Sequence, residues 1–258
     1  MSPPERHHYG PARSQYGELF LPESGSHPPP HPVAVLLHGG FWKAEYGRKQ
    51  MHRLCADLTA RGWVAWNLEY RRLGHVSGGG FPQTLEDVAA GVDHLADMPA
   101  HVWGQSRLKG PSPFRLERVV AIGHSAGGHL AAWLATRPDP RVPVAAVVAQ
   151  AGVVDLRLAS ELGLSESIVH RFLGGTPAEV PERYAAASPA ERLPLGVPAL
   201  LTHGGRDATV PPAMSAGFAA AARAAGDDVE LALVPDAGHM GHLDPAGPLW
   251  QAVVAWIR

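Results

Sequence analysis

Six short apolar runs recur along the chain, at residues 33–37, 64–68, 119–122, 144–149, 199–202 and 229–234. Most lack the polar alternation of a strand with one wet face, which predicts strands buried on both sides. Between them the apolar spacing changes to helical period. Met51, Leu54, Cys55 and Leu58 keep an i, i+3, i+4, i+7 pattern, and Leu85, Val88, Ala89, Val92 and Leu95 do likewise. Further helices are expected beside Gly127, carrying Leu130, Ala131 and Leu134, and over residues 213–225 and 249–257. Strand and helix in alternation predict an α/β fold with a doubly wound, mainly parallel sheet. Ligands of such sheets bind at the carboxyl ends of the strands, so the residues just after each run carry the functional reading.

Residues 1–32 are expected to form an N-terminal extension, with an edge strand at 16–21 and an extended, poorly packed connector at Pro28-Pro29-Pro30-His31-Pro32. One domain then covers 33–258. Two segments interrupt its rhythm. Residues 98–117 hold Gly104, Gly110, Pro111 and Pro113 and read as a long surface loop, while 156–196 sits between two strands, where a small cap is inserted. Within the cap, Ile168, Val169, Phe172 and Leu173 predict a short helix.

The composition narrows the function classes. With 22 Lys and Arg against 24 Asp and Glu the net charge is −2, so no basic surface for nucleic acid is signalled. Cys55 is the only cysteine, which excludes an internal disulfide and any CxxC metal or redox site. Residues 1–9 have no apolar run of the signal-peptide kind, and no stretch is apolar enough to span a bilayer. The expectation is a cytoplasmic protein without membrane contact; nothing in the pattern fixes its oligomeric state.

Chemistry enters after the third run, where the chain reads Gly123-His-Ser-Ala-Gly-Gly128 before a helical pattern. A serine hydroxyl needs a base to become a nucleophile, and it must project clear of the backbone. A sharp strand-to-helix turn achieves the projection and crowds its neighbours, hence glycine two residues before and two after Ser125. The base is expected after the last strand, which points to His239, with His242 as its competitor. The carboxylate that orients the base is expected at Asp207, after the penultimate run; Asp155, one strand earlier, reads rather as a helix cap. Oxyanion donors require a glycine loop after an early strand, and His38-Gly-Gly-Phe-Trp42 follows 33–37. The N–H groups of Gly40, Phe41 and Ala126 are the candidates, and His38 is expected to hold their loop by hydrogen bonds. Phe41 and Trp42 read either as an aromatic wall for substrate or as core packing. Glu69-Tyr70-Arg71-Arg72 reads as a structural hydrogen-bonding group.

With those residues, together with Tyr9-Gly10, Ser14-Gln15, Leu19-Phe-Leu-Pro22, Val210-Pro211 and Ala237-Gly-His239, the chain resembles the α/β-hydrolases of the esterase and lipase branch related to hormone-sensitive lipase. Within that branch it is similar to kynurenine formamidase-like and feruloyl or acetyl esterase-like proteins. The resemblance implies an α/β-hydrolase fold with Ser125 as nucleophile, Asp207 as acid, His239 as base, and Gly40, Phe41 and Ala126 as donors. It departs at Phe41, where lipase-like members often carry a third glycine. The expected activity is acyl-enzyme hydrolysis of a small carboxylic ester without metal or organic cofactor, the alternative an aryl formamide or other small amide. A dipeptidyl-type peptidase usually adds a second domain for which this chain has no room, and a non-catalytic protein of this fold would be expected to have lost part of the triad.

Overall fold

The structure is a computed structural model and describes residues 4–23, 25–74, 77–98 and 113–258. Among the described residues, eight strands form one sheet: β1 (Glu5–His8), β2 (Tyr16–Phe20), β3 (His31–Leu37), β4 (Val64–Leu68), β5 (Phe114–His124), β6 (Ala146–Gln150), β7 (Ala199–Gly204) and β8 (Val229–Val234). Their order across the sheet is β1-β2-β4-β3-β5-β6-β7-β8. The β1–β2 and β2–β4 pairs are antiparallel, and every later pair is parallel.

The helices are α1 (His52–Ala60), α2 (Gln83–Asp93), α3 (Ala126–Thr136), α4 (Leu156–Glu161), α5 (Leu164–Leu173), α6 (Pro181–Ala187), α7 (Pro212–Ala224) and α8 (Pro248–Trp256). Helices α1 and α8 cover one face of the sheet, where Leu54, Leu58, Trp250 and Val254 pack on Ala34, Leu36, Ile122 and Leu200. On the opposite face Val88, Leu130, Phe218 and their neighbours cover Val35, Leu37, Ala121 and Ala149. Because both faces are covered, the central strands read as unbroken apolar runs. Each of the buried Val, Leu, Ile and Phe side chains contributes about 1.5–3 kcal/mol, so the sheet is a rigid platform for the loops at its carboxyl edge.

Three sequence expectations change. The edge strand is β1, not the 16–21 segment, which lies between β1 and β4. Its residues Glu5-Arg-His-His8 are mostly exposed and carry no apolar alternation, so periodicity had nothing to register. The Pro28–Pro32 connector ends earlier than expected: His31 is buried, its Nδ1 3.0 Å from the Gly62 carbonyl, and β3 begins there. Of the expected loop at 98–117, residues 99–112 lie outside the described residues, whereas 114–117 are strand. There Phe114 pairs with His31 and is buried, and a register shift before Val33 and Val119 separates this first part of β5 from the apolar run.

The insertion between β6 and β7 contains α4, α5 and α6, three helices where one was expected. Asp155 caps α4, accepting the Leu158 N–H at 3.0 Å, as its capping reading anticipated.

Candidate active site

At the carboxyl end of β5 the chain turns sharply into α3. Ser125 holds φ 56° and ψ −119°, a left-handed backbone that costs a non-glycine residue about 1–3 kcal/mol. The turn persists because its surroundings fix it. The Ser125 N–H donates to the Gln150 carbonyl at 2.7 Å, and the Ser125 carbonyl accepts from Gly128 and His129 at 2.8 and 3.2 Å. A Cβ on Gly123 would lie 1.9 Å from the Gly127 carbonyl oxygen, and one on Gly127 would lie 2.0 Å from that of Leu37. Only glycine fits at either place, as the crowding argument requires.

The loop after β3 crosses beside this turn. A Cβ on Gly39 would stand 2.9 Å from Ser125 Cβ, so the glycine lets the loop come against the serine. Gly40, Phe41 and Trp42 follow with φ of 105°, 50° and 56°, three positive values in a row. Among the described residues, the N–H groups of Gly40, Phe41 and Ala126 have no internal acceptor. They are therefore free to receive a developing negative charge, with the N-terminal N–H groups of α3 adding their dipole.

A buried polar network holds that loop. His38 Nε2 is 2.9 Å from Glu69 Oε1, the Tyr70 hydroxyl donates to the His38 carbonyl at 2.7 Å, and the Tyr70 and His38 rings stack 4.4 Å apart. Burial alone would raise the pKa of Glu69. The hydrogen bond from His38, the charges of His38 and Arg72 and the Arg48 N–H outweigh it and hold the carboxyl below its usual range. Farther along the loop, Lys43 Nζ donates to Ser165 Oγ of α5 at 2.9 Å, tying the loop to the helices between β6 and β7.

The two aromatics of the loop differ. Phe41 is half-buried against the core, whereas Trp42 is enclosed, its indole stacked on Phe172 of α5 at 4.4 Å and edge-on to His129 of α3 at 5.3 Å. At 1% exposure, Trp42 has no surface left for a ligand. The pocket-wall reading of Trp42 is thus corrected to core packing that joins α5 to α3.

Asp207 lies beyond β7 and His239 beyond β8, so parallel pairing of these strands brings their loops together. His239 Nδ1 donates to Asp207 Oδ2 at 2.7 Å. Oδ1 accepts the N–H groups of Thr209 and Val210 at 2.8 and 2.9 Å, and buried His203 places its Nε2 3.2 Å from Oδ2. Burial would raise the pKa of Asp207, but the hydrogen bonds from His203, His239 and Val210 together hold it far below the carboxylate range. The aspartate is therefore held as its anion near neutral pH.

The competitor His242 points elsewhere. It is fully buried, with Nδ1 3.1 Å from Thr202 Oγ1, and burial followed by the neighbouring His124, His203 and His239 depresses its pKa to about 2. A ring that enclosed has no path to a substrate proton.

Two contributors carried no assigned role in the sequence, and a third, Glu69, was expected only as part of a structural hydrogen-bonding group. His203 is the second partner of Asp207, Glu69 anchors His38, and His124 bonds to the His239 carbonyl at 3.0 Å. No periodicity marks them, although His124 stands inside the serine turn and His203 four residues before Asp207.

The model of the BD-FAE family matches residues 18–221, from β2 to within α7. The chain belongs to the BD-FAE family. This is an α/β-hydrolase esterase family, and the match takes in the donor loop, Ser125 and Asp207, while His239 lies beyond its end. The chain is similar to two Mycobacterium tuberculosis proteins. It is 27% identical to esterase LipQ, over 81% of this chain and 50% of LipQ, and 28% identical to esterase LipC, over 89% and 58%. It thus spans about half the length of the curated relatives it matches. Among solved structures, esterase 2 of Thermogutta terrifontis in its apo form is 25% identical, covers 100% of this chain and 92% of its own, and superposes with a TM-score of 0.74. The BD-FAE match and this superposition agree on the α/β-hydrolase fold. Among the described residues no helix is long and apolar enough to cross a membrane.

Proposed function

We propose that this chain hydrolyses small carboxylic esters through an acyl-enzyme on Ser125. The observation that carries the reading is the 2.7 Å bond between His239 and an Asp207 held anionic, beside a serine on a strained turn flanked by free N–H groups. His239 takes the Ser125 proton at Nε2 as Oγ adds to the ester carbonyl. The carbonyl oxygen becomes an oxyanion held by the N–H groups of Ala126, Gly40 and Phe41. Asp207 fixes the imidazole tautomer and stabilises the imidazolium. The C–O bond to the alcohol then breaks, the alcohol leaving with the proton from His239. Water adds by the same route, and the acid departs as Ser125 regains its proton.

The esterase names of LipQ, LipC and the Thermogutta protein support the ester reading, and a structure of the last with butyrate bound supports a short acyl group. The deciding experiment compares turnover of p-nitrophenyl acetate, p-nitrophenyl butyrate and N-formylkynurenine. Faster turnover of the two esters is expected. Turnover of the formamide alone would replace the ester reading with amide hydrolysis, and inertness toward all three would remove it.

A further inference from the structure

His124 is the last residue of β5, directly before Ser125, and is buried to 2% exposure. Its Nε2 lies 3.0 Å from the carbonyl oxygen of His239, 115 residues along the chain, and the two rings stand 4.6 Å apart at 47°. On its other side, Nδ1 lies 3.0 Å and its own carbonyl oxygen 2.8 Å from where a Cβ of Gly39 would be. One side chain therefore touches the base loop and the donor loop while its backbone runs into the serine turn.

We propose that His124 is a positioning residue that fixes the His239 loop relative to Ser125 through an Nε2–H···O=C hydrogen bond; this rests on the hydrolase reading above. A carbonyl can only accept, so the ring carries its proton on Nε2 and a lone pair on Nδ1. The base loop is otherwise tied to the end of β7, by Gly205 N–H to the Val234 carbonyl at 2.8 Å and Arg206 N–H to the Ala237 carbonyl at 2.9 Å. Those bonds set the base relative to Asp207. The His124 bond sets it relative to the nucleophile, across β6, which separates β5 from β7. A misplacement of about 1 Å between reacting groups costs roughly 100-fold in rate, so this tie bears on kcat more than on binding.

The ring does this work uncharged. Burial first, then the facing His239 and His203, push its pKa down to about 3 against the opposing pull of Asp207, and the ring of His242 closes the other side at 5.6 Å. It therefore never competes with His239 for the serine proton.

The test exploits atom positions. Glutamine places an N–H donor where Nε2 stands, asparagine places one only where Nδ1 stands, and phenylalanine keeps a ring without a donor. With p-nitrophenyl butyrate, H124Q is expected to keep kcat within about 5-fold of wild type, while H124N and H124F lose roughly 30- to 100-fold with KM within about 3-fold. Labelling of Ser125 by a fluorophosphonate should slow in the same order. Wild-type kcat in H124N or H124F, or H124Q as slow as H124F, overturns the proposal. A second readout does not depend on activity or on a variant that folds: 15N NMR of the wild type should find His124 protonated on Nε2 alone between about pH 5 and 8, and an Nδ1–H form overturns it. A wild type inert to ester and label would refute the hydrolase reading, and the NMR result would still decide the His124 bond.

Discussion

His203 shares Asp207 with His239: its Nε2 lies 3.2 Å from the carboxylate oxygen that His239 approaches at 2.7 Å. His203 also meets the Val210 carbonyl at 2.9 Å through Nε2 and Ser215 Oγ at 2.7 Å through Nδ1, so its ring is locked and its proton stays on Nε2. One anion thus stands between the locked imidazole of His203 and that of His239. Asp207→Asn keeps the shape and removes the charge, and its amide can present an N–H where His239 needs an acceptor. We expect kcat to fall about 10³- to 10⁴-fold with KM little changed. Steady-state kinetics on p-nitrophenyl butyrate check this, with circular dichroism to verify the fold.

The donor loop depends on a buried charge. Glu69 faces His38 at 2.9 Å, Arg72 at 3.4 Å and Arg48 at 3.8 Å, and removing one partner of a buried ionic cluster costs about 3–5 kcal/mol. Glu69→Leu should therefore lower the melting temperature by several degrees. It should also reduce kcat about 10-fold or more, because Gly40 and Phe41 lose the His38 anchor. Thermal unfolding and kinetics on one preparation separate the two effects.

Stability should also depend on pH in a defined window. Burial depresses the pKa of His129 to about 4 and that of His124 to about 3, against about 6.5 in an unfolded chain. Between those values the unfolded state binds more protons, so stability rises with pH and is lost as pH falls below about 6.5. Each such histidine adds a slope of about 1.4 kcal/mol per pH unit. His129→Gln, whose amide can still reach the Ala187 carbonyl that Nε2 meets at 2.9 Å, should reduce the slope by about one proton in denaturant titrations from pH 6 to 4.5.

Much of this arrangement was legible in the sequence. The six runs predicted the strands that carry the site, most of them because strands covered on both faces have no polar alternation to confuse with loop; β8, at the sheet edge, is the half-exposed exception. The places of Ser125 on a sharp turn after β5 and of Asp207 beyond β7 were legible from chain order and from the turn chemistry of glycine. What escaped had physical reasons. Strand β1 is solvent-facing and polar, so no apolar period betrays it. From its place beside the donor loop Trp42 read equally as pocket wall or core packing, and only its burial against Phe172, 130 residues away, decides for the core. His203 and His124 act through hydrogen bonds between distant segments, which no local pattern records.

The glycines of the serine turn allow a sharper test of the backbone. Gly127→Ala would set a Cβ 2.0 Å from the Leu37 carbonyl oxygen and 2.6 Å from that of His38, both main-chain atoms that cannot swing aside. We expect this variant to lose more than about 4 kcal/mol or to accumulate insoluble, a size reserved for such steric conflicts. Gly217→Ala, on α7 where a Cβ meets nothing within 4 Å, should be neutral or slightly stabilising in the same assay.

The central claim is that Ser125 is the nucleophile, and it is tested most directly by comparing Ser125→Ala with wild type in p-nitrophenyl butyrate hydrolysis, alongside mass spectrometry of the fluorophosphonate adduct. The expected result is a loss of at least about 10³-fold in kcat, and a single adduct that maps to Ser125 in the wild type and is absent from the variant. An active Ser125→Ala protein, or an adduct on another residue, would contradict it.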